Sequence, residues 1–141
     1  MTSPPSPPDD DLFAAARRAR QHAHAPYSGF KVGAAIRAED GRIHAGANVE
    51  NAAYPQSQCA EATAIGAMVT AGARRILEVA VVADSPEPIS PCGGCRQRLA
   101  EFAAPEVKVH LCGPDGAVRR TVTMGDLLPF AFGEGHLASR E

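Results

Sequence analysis

No run of the sequence approaches the roughly 18–20 consecutive apolar residues that a membrane-spanning helix needs. The first residues, MTSPPSPPDDD, have neither a basic head nor an apolar stretch, so they do not read as a secretory signal. A cytoplasmic location is the expectation that follows. A large Lys/Arg cluster is missing as well, with 14 basic against 16 acidic residues and a net charge of −2. That balance argues against an extended nucleic-acid footprint and suits a small uncharged ligand. Internal repeats are absent. Cysteine is scarce: Cys59, Cys92, Cys95 and Cys112 are the four in the chain. In a reducing compartment such a set serves a metal or catalysis more readily than disulfides.

What is present suits one domain. The chain has 141 residues, 45% of them hydrophobic, enough for a substantial core and too few for two ordinary domains. Residues 1–10 hold four prolines and little that could pack, and read as a disordered tail. Asp9, Asp10 and Asp11 then offer an N-cap and favourable charge for a helix running to about Ala25. PYSG (26–29) is a turn by composition. KVGAAIRA (31–38) and RIHAGANV (42–49) read as strands joined at Asp40-Gly41, with small residues where something packs very close. Cys59 to about Ala71 reads as a helix stopped by Gly72. ILEVAVVA (76–83) is apolar enough for a strand buried on both faces. A helix from Cys92, strands at 107–113 and 117–123, and a terminal MGDLLPFAF segment complete a domain over 11–133, with 134–141 as a C-terminal tail. The order implies an α/β class, a three-layer α/β/α sandwich on a mixed sheet of about five strands.

Two helix starts carry the chemistry. Cys59-Ala60-Glu61 opens one, and Pro91-Cys92-Gly93-Gly94-Cys95 opens the other. A thiolate at a helix N-terminus is favoured by unpaired backbone N–H groups and the helix dipole. Three converging thiolates suit Zn²⁺ and leave its fourth position for water, as catalytic zinc requires. Glu61, two residues from a ligand, could exchange protons with that water. Two other readings stay open on the residues alone. The C-x-x-C could be a redox pair, or all four cysteines could hold a structural zinc. Cys112, inside an apolar strand pattern, reads most simply as a buried small hydrophobe.

The ligand-x-Glu pattern followed by P-C-x-x-C is the general signature of zinc deaminases. Together with APYSGFKVGAA (25–35), GANVENAAYP (46–55), PCGGCRQRLAEF (91–102) and LLPFAFG (127–133), it resembles the short, homotetrameric type of cytidine deaminase. The resemblance implies one Zn²⁺ per subunit on Cys59, Cys92 and Cys95, with Glu61 as the catalytic proton shuttle. It implies hydrolysis of cytidine and deoxycytidine to uridine and deoxyuridine in pyrimidine salvage. It further implies that Asn48 and Glu50 bind the ribose 3′-hydroxyl, and that Phe30 packs on the base. The Ala60 N–H would bind the 2-oxo group, and a carbonyl near Ser90–Pro91 the amino group. Phe132 would reach into a neighbouring subunit's pocket, with Tyr54 near the same seam.

One position departs from the pattern. Many members carry Arg directly after the catalytic Glu, where it offsets thiolate charge, and this chain has Ala62. Helix N-termini, backbone N–H groups and Arg96 are the candidates to compensate. Three rival functions remain: a deaminase of a cytosine-containing antibiotic such as blasticidin, a zinc-stabilised binding module without turnover, and an editor of polynucleotides. The NVENAAY block disfavours the first, intact Glu61 the second, and the short, near-neutral chain the third.

Overall fold

A computed structural model describes residues 9–115 and 117–138. Its centre is the most apolar segment, β3 (Ile76–Ala83), flanked by β1 (Val32–Ala38) and β4 (Ala103–Cys112). With β2 (Ile43–Ala47) and β5 (Val118–Thr123) at the edges, the sheet runs β2-β1-β3-β4-β5. Only β3 and β4 are parallel; the other pairs are antiparallel. Parallel neighbours need a crossover, and α3 (Gly93–Phe102) supplies it.

Alternation along the strands sorts two cores. On one face Ala34, Ile36, Val79, Val81, Val109 and Leu111 pack against α2 (Ala60–Thr70), α3 and α4 (Met124–Leu127). On the other, Ala35, Ala80, Val82 and Cys112 pack against α1 (Asp9–Gln21) through Leu12, Phe13 and Ala16. This is the expected three-layer arrangement on a mixed five-stranded sheet. Two glycines let helices come close. A Cβ at Gly33 would lie 2.0 Å from the Ala16 carbonyl of α1. One at Gly46 would lie 2.4 Å from the Ala64 nitrogen of α2. Gly46 therefore sets α2 directly against β2.

Three boundaries differ from the sequence reading. The first helix ends at Gln21 rather than near Ala25. His22 and Ala23 donate three residues back, to Ala19 and Arg20, and the chain then extends so that His24 bridges Val49. Pro26 also disfavours helical backbone at Ala25. β4 begins at Ala103, four residues early, because Ala103 pairs with Ile76 ahead of a register shift. Pro105, with no N–H to donate, falls in that irregular stretch. The segment from 134, read as a tail, begins with a short helix, α5 (Glu134–Ala138). Residues 1–8 of the expected N-terminal tail lie outside the described residues. No helix among the described residues is long and apolar enough to cross a membrane.

Candidate active site and metal centre

Two helices begin at the same place. Cys59 is the N-cap of α2 and Cys92 the N-cap of α3, both in extended backbone with no side-chain capping bond. Cys95 sits on the first turn of α3, fully buried. The ligand atoms of Cys59, Cys92 and Cys95 lie within 4.8 Å of one another, and the first two sulfurs are 3.8 Å apart. A tetrahedron with Zn–S bonds of about 2.3 Å has edges of about 3.8 Å, so the spacing fits zinc. It is far from a disulfide, and all four cysteines are free.

The donor chemistry agrees. Burial raises the thiol pKa values of Cys59 and Cys95, whereas the Cys95 backbone N–H lowers that of Cys92. Buried sulfurs that resist ionisation alone are stabilised as thiolates by a bound divalent cation. Cys112 is no part of this group. It packs in the α1 layer, across the sheet, with its thiol 3.4 Å from the His110 carbonyl. A four-cysteine site is thereby excluded.

Glu61 is only 5% exposed, and burial raises its pKa above the ordinary carboxylate value. Its own backbone N–H and the Arg98 charge act in the opposite direction. A carboxyl whose proton affinity is raised by burial suits proton transfer. Glu61, Cys59 and Cys92 line one cavity of about 370 Å³. Ala60, the first residue of α2, also lines it. Its N–H lies before the first i→i−4 bond of the helix, Thr63 to the Cys59 carbonyl at 3.2 Å.

Part of the cavity wall is set by a loop that returns to its start. Val49 and Gln58 exchange backbone bonds of 2.9 and 2.8 Å, so 48–50 lies beside 58–59. Glu50 donates its N–H to the His24 carbonyl, which fixes the 25–29 turn against it. The Glu50 carboxylate accepts from the N–H groups of Tyr27 and Ser28 and from the Ser28 hydroxyl. The Ser28 hydroxyl is the main cause of its lowered pKa. Asn48 bonds to backbone on both sides of its amide. Its Oδ1 accepts from Val32 N–H and its Nδ2 donates to the Phe30 carbonyl, each at 2.8 Å. One amide proton and one lone pair remain.

The structure brings Phe30, Asn48, Glu50 and Ala60 into the cavity with Glu61. Tyr54 lies outside it, in an adjoining hollow with Tyr27, Ser28, Glu50 and Ser57. The Tyr54 and Tyr27 rings meet edge to face at 6.1 Å. Phe132 is not part of the lining of its own chain's cavity. It is exposed, stacked on His136 at 5.2 Å, and its carbonyl accepts from Gln97. Arg96 does not reach the sulfurs. Its guanidinium donates to the Pro91 and Leu127 carbonyls and the Ser90 hydroxyl, pinning the loop before α3. Arg98 instead contacts Cys95, with Nη1 at 3.8 Å from the sulfur. Sequence reasoning missed Ser28 and Arg98. PYSG signalled only a turn, and Arg98 was one unremarked charge three residues past a ligand.

Three thiolate donors and a buried carboxyl at the helix-start end of a sheet define a zinc-dependent hydrolase. The sequence model of the cytidine and deoxycytidylate deaminase zinc-binding region matches residues 7–111. The chain belongs to that family. A cytidine deaminase of Sporosarcina psychrophila is 46% identical over 129 residues, spanning 92% of this chain and 94% of that protein. The cytidine deaminase of Mycobacterium tuberculosis is 41% identical over 129 residues, spanning 89% and 92%. The crystal structure of cytidine deaminase from Burkholderia pseudomallei superposes with a TM-score of 0.81 at 45% identity, covering 94% of this chain and 100% of that one.

Proposed function

We propose that the chain deaminates free cytidine and deoxycytidine hydrolytically, giving uridine or deoxyuridine and ammonia, as a cytoplasmic step of pyrimidine salvage. The observation that carries this reading is the cavity lining. It holds Glu50 and Glu61 and no basic side chain. Such a lining suits a neutral nucleoside and repels a phosphate. It disfavours a polynucleotide for the same reason.

Cys59, Cys92 and Cys95 would hold Zn²⁺, which would lower the pKa of a water for attack. Glu61 takes a proton from the attacking water and delivers it to N3 of the base, while C4 gains the water's oxygen. The second proton of the water passes through Glu61 to the 4-amino group, so the C4–N bond breaks and ammonia leaves. One water is consumed and one ammonia released. Asn48 and Glu50 hold the ribose 3′-hydroxyl, Phe30 packs on the base and the Ala60 N–H binds the 2-oxo group. A backbone carbonyl at Ser90–Pro91 accepts from the 4-amino group. The chain works as a homotetramer with shared pockets, into which Phe132 of a neighbouring subunit reaches, with Tyr54 near that seam.

An assay of ammonia release tests the reading, run in parallel on cytidine, cytosine, deoxycytidine monophosphate and blasticidin. Cytidine should be consumed, and a strong chelator should abolish the reaction. Cytosine and the monophosphate should be very poor substrates. Preferential turnover of blasticidin would move the substrate class, and equal turnover of cytosine would remove the role given to Asn48 and Glu50.

A further inference from the structure

Helix α2, AEATAIGAMVT, carries no Lys, Arg or His, so it brings no positive side chain to the three sulfurs and Glu61. Three thiolates on Zn²⁺ leave a net charge of −1, and an ionised Glu61 beside them makes it −2. Helix α3 carries two arginines. Arg96 is spent on carbonyls and Ser90, facing the 90–91 loop. Arg98 lies three residues after Cys95, on the same side of the helix, and its Nη1 contacts that sulfur. It also lies over Gly94, where an added Cβ would meet Nη1 at 3.5 Å. The guanidinium thus lies against the first turn of α3, beside Cys95 and over Gly94.

We infer that Arg98 is the positioning residue that offsets the charge of the zinc–thiolate centre in this chain. Its donor withdraws charge from Cys95, and its positive charge opposes the like-sign repulsion among the thiolates and Glu61. It touches neither substrate nor metal. Arg98 is exposed, so its field is partly screened by solvent and salt. The effect therefore belongs at the lower end of the 10–100-fold that partners of metal ligands contribute to affinity.

The proposal rests on zinc ligation by the three cysteines, which zinc loss from Cys92→Ala tests separately. Its own test measures zinc affinity in the folded protein by competition with a coloured chelator, independent of turnover. Arg98→Met should bind zinc about 10-fold more weakly than wild type, and Arg98→Lys should recover most of the loss. Raising the salt should narrow the gap between wild type and Arg98→Met, because screening acts on the charge and not on packing. Circular dichroism of the metal-free chains confirms that each variant folds. If Arg98→Met does not, the Arg98→Lys comparison and the salt dependence of the wild type decide. Equal affinities for wild type and Arg98→Met overturn the inference. So does Arg98→Lys binding as weakly as Arg98→Met, or a wild-type affinity indifferent to salt.

Discussion

Glu61 shows how one side chain can be chemically specified by its surroundings. It stands on the first turn of a helix, nearly enclosed, with its proton affinity raised by burial. Glu61→Gln keeps the volume and some hydrogen bonds but carries no exchangeable acid. Turnover should drop by roughly 10²–10⁴-fold, the usual worth of general acid–base catalysis, while a substrate analogue still binds. Near-normal steady-state turnover would assign the proton to another group. The cysteines divide just as sharply. Zinc analysis should find metal lost from Cys92→Ala and retained by Cys112→Ala, because Cys112 lies across the sheet among α1 side chains. These residues were legible in the sequence because their chemistry is local: a thiol or carboxyl beside a helix start is visible in a few consecutive letters. Ser28 and Arg98 were not, since their roles depend on partners 22 residues away or on the direction of a long side chain.

At the scale of elements, the site is two helix starts and a turn held to a loop. Composition located both helices and β3 closely, through alanine content and a glycine stop for one helix, a cysteine-bearing start for the other, and a continuous apolar run for β3. The end of α1 was misplaced because its competitor is remote: the His24–Val49 bridge forms only after the sheet does. With Glu50 in its proposed ribose-binding role, the 25–29 turn bears on binding through Ser28, whose hydroxyl and N–H both bond to Glu50. Glu50 has a lowered pKa in the folded protein, chiefly through the Ser28 hydroxyl, so it stays ionised to lower pH than it would without these bonds. Ser28→Ala removes the largest cause of that lowering. The carboxylate should then protonate at a higher pH than in wild type. The Michaelis constant for cytidine should rise roughly fivefold near neutrality, as for a lost hydrogen bond of about 1 kcal/mol. Its further rise on acidification should begin at higher pH than in wild type. Superimposable pH profiles would leave Ser28 a turn residue alone.

The whole molecule leaves aromatic surface uncovered. Phe130 is fully exposed with a φ of 55°, and Phe132 and Tyr54 are exposed as well. With Phe132 capping a neighbour's pocket, Phe132→Ala should raise the Michaelis constant about tenfold, the scale of a lost aromatic contact, with little change in thermal midpoint. Dilution to monomers, followed by sedimentation alongside assay, should abolish activity, and a fully active monomer would confine the pocket to one chain. The architecture was readable from strand and helix order, whereas the exposure of Phe132 was not, because an exposed Phe and a core Phe look alike in sequence. The sulfur cluster also has a mechanical side. Cys59 and Cys92 are 33 positions apart, and α2 and β3 lie between them. A metal held there ties both ends of that segment into one closed ring, as a cross-link does. Free zinc then acts as a ligand of the folded chain alone, so heat resistance becomes a function of zinc concentration.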